Sequence, residues 1–223
     1  MRHRALPLLV AALLAPGAAA RAVTLETLTL ERPEGPRTVL LAEPAAGAPG
    51  LHPLVIVLHG HGGSARQMLG RGPGKSPLSL WLDRVDRDGL VIVAPDGLRG
   101  GDGKPGWNDC RRDARTKPPV DDVGLIGEVI DRAVAEHDAD PARVYLIGMS
   151  NGGMMAFRAA IELGPRLAAF ATVGASMAAD SLCPAPTHPL PVLVMAGTAD
   201  PLVPYAGGAI GHGHRGTVIG VEA

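Results

Sequence analysis

The order of apolar patterns along this 223-residue chain predicts an α/β fold, with a mainly parallel sheet and helices on both faces. Three observations lead there. Several short runs are continuously apolar, as strands buried on both faces of a parallel sheet are. Between them lie segments whose apolar residues recur at helical spacing. The two kinds of segment alternate along the chain, which is the signature of strand–helix–strand units. A length of 223 residues fits one domain, and 46% hydrophobic residues supply a substantial core.

The elements follow in order. Residues 24–30 (TLETLTL) and 37–44 (RTVLLAEP) alternate apolar and polar side chains, as the edge strands of an antiparallel hairpin do. The run at 53–60 (PLVIVLHG) is continuously apolar and reads as a buried strand. The runs at 89–97, 143–150, 167–175 and 189–200 have the same character. Residues 76–89 place Leu78, Trp81, Leu82 and Val85 on one helix face. Residues 121–140 open with two aspartates, which suit a helix N-terminus, and stop before Pro141. A third helix begins directly after Ser150 and ends at Gly164-Pro165. The glycine- and proline-rich stretches 70–77 and 99–106 read as surface loops. The final stretch, RGTVIGVEA (215–223), reads as the start of a further helix.

Charge and targeting narrow the classes of function. The chain carries 21 basic and 22 acidic residues, so no polyanion-binding surface is implied and no nucleic-acid partner is expected. Residues 1–20 have the build of a signal peptide: Arg2, His3 and Arg4, then an apolar run from Leu6 to Leu14, then small residues at Ala18–Ala20. The apolar run is shorter than the about 20 residues a membrane span needs. Cleavage near Ala20 or Ala22 is expected, leaving residues 21–223 as a secreted or periplasmic domain with no membrane anchor. In an oxidising compartment Cys110 and Cys183 read either as one disulfide or as two unpaired buried thiols.

The chemistry centres on GMSNGG (148–153). A buried strand runs into Ser150 and a helix leaves it, with Gly148 and Gly152 relieving the crowding of a sharp turn. This is the context of a Gly-x-Ser-x-Gly nucleophile elbow, against the alternative of a glycine-rich connection with a capping serine. The N–H of Asn151, at the head of the helix, would face an oxygen gaining charge during acyl transfer. The stretch LHGHGGSA (58–65) follows the strand at 53–58 and offers the N–H of His61 or Gly62 as the other half of an oxyanion hole. His59 and His61 lie two residues apart with no nearby cysteine or carboxylate, so no metal site is expected. His59 reads as structural. Asp200 ends the run at 189–200, where the strand ends of an open α/β sheet meet ligands, and it follows Ser150 in the order nucleophile, acid. Asp138 and Asp140 are competing carboxylates that read as solvated.

The stretches LHGHGGSA, PDGLRGGDGKPGWNDC, VDDVGLI, VYLIGMSNGGMM and GTADPLVPYAGG together resemble secreted esterases of the polyhydroxybutyrate depolymerase-like and feruloyl esterase-like group, which have the α/β-hydrolase fold. The resemblance covers residues from about 50 to 210. It implies hydrolysis of carboxylic esters without a cofactor, on a hydroxyalkanoate oligomer or a hydroxycinnamoyl ester. Under it Ser150 is the nucleophile, Asp200 the acid and residues 59–63 the oxyanion loop. Trp107 and Asn108 match a stretch near the active site of such proteins, and Trp107 reads equally as a packing anchor.

The relatives continue beyond the Asp200 region through a helix and a last strand and then carry the catalytic histidine. The resemblance therefore implies a domain lacking that helix, strand and base, with impaired activity and an uncovered sheet edge open to self-association. Among the histidines present, His212 and His214 follow Asp200 in the required order, whereas His188 precedes it and His137 ends a helix. A noncatalytic binding remnant of such an esterase is the alternative function, and a peptidase on the same fold fits the loop pattern less well.

Overall fold

The computed structural model describes residues 23–45, 48–74, 76–211 and 214–223. The signal peptide expected over residues 1–20, and His212, lie outside the described residues. Among the described residues eleven strands and four α-helices follow in chain order: β1 (Glu26–Leu30), β2 (Arg37–Ala42), β3 (His52–Leu58), α1 (Ala65–Met68), α2 (Val85–Asp88), β4 (Val91–Pro95), β5 (Leu98–Arg99), β6 (Pro105–Gly106), α3 (Asp122–Glu136), β7 (Ala139–Met149), α4 (Asn151–Glu162), β8 (Ala169–Val173), β9 (Val192–Met195), β10 (Gly208–Ala209) and β11 (Thr217–Val218). Seven strands form one sheet in the order β1-β2-β4-β3-β7-β8-β9. From β4 to β9 every neighbouring pair is parallel, while β1–β2 and β2–β4 are antiparallel.

The sheet reads as expected because its central strands are apolar on both faces. In β3, Leu54, Ile56 and Leu58 join Ile126 and Ile130 of α3 and Met155 of α4 in one core. On the other face Val55 and Val57 pack with Met68, Val85 and Ile147. Helix α3 starts where the side chain of Asp121 accepts the N–H of Gly124 at 2.8 Å, which satisfies one of the unpaired donors of the first turn.

Three segments depart from the sequence reading. The amphipathic stretch 76–89 is mostly a 3₁₀ helix, Pro77–Arg84, with only α2 following it. Ser76 caps it and Pro77 opens it, but the run is short and ends at Gly89 in the left-handed region (φ 66°). The stretch 215–223 forms no helix: β11 pairs with β10, and Gly216 (φ 84°) breaks the helical path. Finally, β9 carries the apolar pattern of a buried strand, yet Val192 to Met195 are 36–58% exposed. Among the described residues β9 has a strand partner on one side alone, which is β8.

Candidate active site

The parallel register brings the proposed residues to one end of the sheet. Ser150 follows β7 and caps α4, with φ 53° and ψ −121°. That is a region L-residues avoid, at a cost of order 1–3 kcal/mol, and it persists where the surroundings force it. Here they do. The Ser150 N–H is held by Val173 O at 2.8 Å, and the Ser150 carbonyl accepts from Met154 in the first turn of α4. A Cβ on Gly148 would overlap the Gly152 carbonyl, and one on Gly152 would lie 2.5 Å from both Leu58 O and His59 O. The two glycines are therefore what let the chain reverse against β3.

Asn151, the next residue, is buried and fully engaged. Its Oδ1 accepts the Trp107 N–H at 2.8 Å, and its Nδ2 donates to Asp109 Oδ2 at 2.7 Å and to Trp107 O at 3.3 Å. Asp109 is in turn held by Arg111 through both carboxylate oxygens. This buried network fixes the head of α4 and with it the direction of its first N–H groups.

The loop after β3 is equally constrained. His59 is fully buried, with Nδ1 on Gly60 O at 2.7 Å and Nε2 accepting the Gly97 N–H at 2.9 Å. Since Nε2 is an acceptor, the proton sits on Nδ1 and the ring is neutral. Burial holds its pKa below the ordinary histidine value, outweighing the Gly60 hydrogen bond that acts the other way. The structural role expected of His59 is thus observed. The Gly62 N–H donates to Pro105 O at 2.8 Å and the Gly63 N–H to Gly60 O at 2.9 Å. Of the two donors expected from this loop, Gly62 is therefore engaged elsewhere, and among the described residues the His61 N–H meets no acceptor. A small cavity lined by His61, Thr116, Ser150, Asn151, Ile210 and Arg215 lies between the loop and the elbow.

Trp107 and Asn108 are not among the residues lining that cavity. Trp107 is fully buried, its indole N–H donating to His59 O at 2.8 Å and its ring 4.8 Å from the His59 ring. Asn108 bonds Asp122 through its N–H and Val120 through its side chain, and its carbonyl accepts from Arg158. Both brace the loop that carries them.

Asp200 sits on the turn after β9, one strand beyond the β8 carbonyl that holds Ser150. Its Oδ1 accepts the N–H groups of Leu202 and Val203 at 2.8 and 3.0 Å, which fix the carboxylate. Its Oδ2 lies toward Gly174, at the end of β8. Among the described residues no imidazole is hydrogen-bonded to it. His214 is exposed, with φ 57°, and its carbonyl accepts the Arg115 N–H at 3.0 Å. His188 is exposed and His137 pairs with Glu43, both away from the cavity. Asp140 is bound by Arg143 on the surface.

Cys110 and Cys183 are joined in a disulfide with Cα atoms 5.3 Å apart, which ties the loop after Trp107 to the segment between β8 and β9. Among the described residues there is no group of three His, Cys, Asp or Glu able to hold a metal ion, and no helix long and apolar enough to cross a membrane.

Comparison with known proteins places the chain in a family. The sequence model of the family described as Phospholipase/Carboxylesterase matches residues 45–212. NocK of Nocardia uniformis subsp. tsuyamanensis, an esterase by name, is 36% identical over 165 residues, covering 72% of this chain and 44% of that protein. Feruloyl esterase B of Piromyces equi is 32% identical over 163 residues (70% of this chain, 27% of that protein). The bifunctional acetylxylan esterase/xylanase XynS20E of Neocallimastix patriciarum is 30% identical over 160 residues (69% and 20%). The chain thus spans less than half the length of each of these relatives. A thermostable esterase shares the fold with a TM-score of 0.57 at 20% identity, over 81% of this chain and 48% of that one. The acetyl xylan esterase of Aspergillus awamori does so with a TM-score of 0.54 at 16% identity, over 70% and 53%.

Proposed function

The chain belongs to the phospholipase/carboxylesterase family, and on that premise we propose that it hydrolyses carboxylic esters through an acyl-enzyme on Ser150. The observation that carries this reading is the strained backbone of Ser150 between β7 and α4, imposed by contacts that only glycine at 148 and 152 permits. A serine held this way presents its hydroxyl clear of its own turn, at the head of a helix whose first N–H groups are free.

In the proposed reaction Ser150 Oγ attacks the ester carbonyl as its proton passes to an imidazole. The carbonyl oxygen, now an oxyanion, is received by the N–H groups of His61 and Asn151. Collapse expels the alcohol, which takes the proton, and water then releases the acid by the same steps in reverse. Asp200 would orient the imidazole through Oδ2, since Oδ1 is already occupied. His212 and His214 follow Asp200 in the chain and are the imidazoles to substitute first.

For substrate, the relatives named as feruloyl and acetylxylan esterases support small aromatic or acetyl esters, and the quoted motifs support short hydroxyalkanoate oligomers as well. Export fits the leader-like residues 1–20 and the disulfide, which an oxidising compartment would maintain. The test is hydrolysis of p-nitrophenyl butyrate, methyl ferulate and a hydroxybutyrate trimer by the chain and by Ser150→Ala. Ser150-dependent release of acid from one of these supports the reading; equal rates on all three by two folded proteins overturn it.

A further inference from the structure

The short hairpin of β5 and β6 touches both halves of the site, and it does so through three contacts. Its exit residue, Trp107, gives its N–H to Asn151 beside the serine. Its β6 residue Pro105 takes the Gly62 N–H at 2.8 Å. At its turn, Asp102 Oδ2 lies 2.8 Å from His61 Nε2. On the hairpin's side the first two contacts are made by main-chain groups, the Trp107 N–H and the Pro105 carbonyl. The third is a side-chain pair reaching across 41 positions of sequence, between an exposed turn and a residue that lines the Ser150 cavity.

We propose that Asp102 is a positioning residue for the oxyanion loop, clamping the His61 side chain so that the His61 N–H stays aimed at the Ser150 cavity. Several observations bear on this. The hairpin turn is itself ordered: the Gly100 N–H bonds Lys104 O at 2.9 Å, the Gly103 N–H bonds Gly100 O at 3.0 Å, and Asp102 Oδ1 accepts the Lys104 N–H at 3.2 Å. The carboxylate is therefore held on one oxygen and offers the other. Burial acts to raise its pKa, but the Lys104 N–H and His61 outweigh it and hold the carboxyl below the usual range, ionised wherever the protein is folded at neutral pH. With Nε2 facing a carboxylate, the imidazole proton is placed there, and the ring is fixed in both tautomer and orientation. The His61 side chain is only 10% exposed, so the ring fills space against Gly106, and a Cβ on that glycine would sit 3.4 Å from Nδ1. The Gly62 N–H bond and the His61 side-chain bond thus grip adjacent residues from one hairpin. Among the described residues the His61 N–H itself meets no acceptor.

This inference rests on the reading of Ser150 given above, and its test separates the two. Two quantities are compared in the wild-type chain, Asp102→Ala and Asp102→Asn: amide hydrogen exchange at Gly62, and the rate constant for phosphonylation of Ser150 by an alkyl fluorophosphonate. Loss of one oxyanion donor typically lowers rates by 10²–10³, so a donor that is loosened and not removed should lower them by roughly tenfold. Asp102→Ala should accelerate Gly62 exchange and slow phosphonylation by about that factor. In ester hydrolysis kcat should fall while KM stays within about twofold, because the donor acts on the transition state. Asp102→Asn, which keeps an acceptor for the Nε2 proton, should recover most of both. Unchanged exchange at Gly62 would show that no clamp exists, whatever Ser150 does. Faster exchange with unchanged phosphonylation would show a clamp without a positioning role. A wild-type chain that does not react at Ser150 overturns the proposed function and the catalytic meaning of the clamp together.

Discussion

Replacing Asn151 by alanine should both destabilise the fold and slow chemistry at Ser150. The amide makes three hydrogen bonds in a site where Asn151, Trp107 and Asp109 are all buried. Truncation leaves the Trp107 N–H without an acceptor, and an orphaned buried donor costs about 1–3 kcal/mol. Asp109 loses one charge-assisted bond but keeps its three hydrogen bonds from Arg111, so only part of the about 1.5–3 kcal/mol such a bond contributes is lost. The two together come to about 3 kcal/mol. For a chain of this size that is a fall in Tm of roughly 6–12 °C. Urea unfolding followed by circular dichroism reads the stability, and fluorophosphonate labelling reads the elbow. A loss below about 1 kcal/mol would refute the reasoning, because it would mean that water or local rearrangement satisfies Trp107 and Asp109 without the amide.

Three further outcomes follow from particular contacts. Reduction of the Cys110–Cys183 bond, which spans 73 positions of sequence, should lower stability by about 4 kcal/mol through loop entropy; an unchanged urea midpoint with dithiothreitol would contradict this. His59 must stay neutral to accept from Gly97, and its folded pKa lies below its unfolded one, so the unfolded state binds more protons and stability falls as pH drops below about 6.5. The His59 contribution to the slope is at most about 1.4 kcal/mol per pH unit and should vanish in His59→Gln, measured as unfolding free energy from pH 7.5 to 5. Among the described residues strand β9 is the last of the sheet and exposes Val192, Leu193, Val194 and Met195, so this chain should self-associate with rising concentration, and Val194→Lys should reduce this in sedimentation velocity. A monomer at all concentrations would count against an adhesive β9.

The central architecture was legible in the sequence because its signals are local. Continuous apolar runs such as PLVIVLHG dictate strands buried on both faces, and Ser150 between a strand and a helix with glycine on either side dictates the elbow. Contacts between distant segments were not legible. That the Gly62 N–H is spent on Pro105, leaving His61, depends on a hairpin more than forty positions away. Trp107 carries no local mark of burial; it becomes a brace because its indole meets His59 O. The exposure of β9 is likewise invisible in its apolar composition, since burial depends on what packs beside a strand. Thr217–Val218 pairs with Gly208–Ala209 where a helix was expected, because glycines at 207, 208, 211 and 216, all with positive φ, fold the chain back on itself.

The measurement that tests the account most directly is covalent labelling of the folded chain by an alkyl fluorophosphonate, with the modified peptide located by mass spectrometry. One adduct is expected, on Ser150, absent from Ser150→Ala. A folded chain that stays unlabelled, or that is labelled elsewhere and equally in the variant, would contradict it.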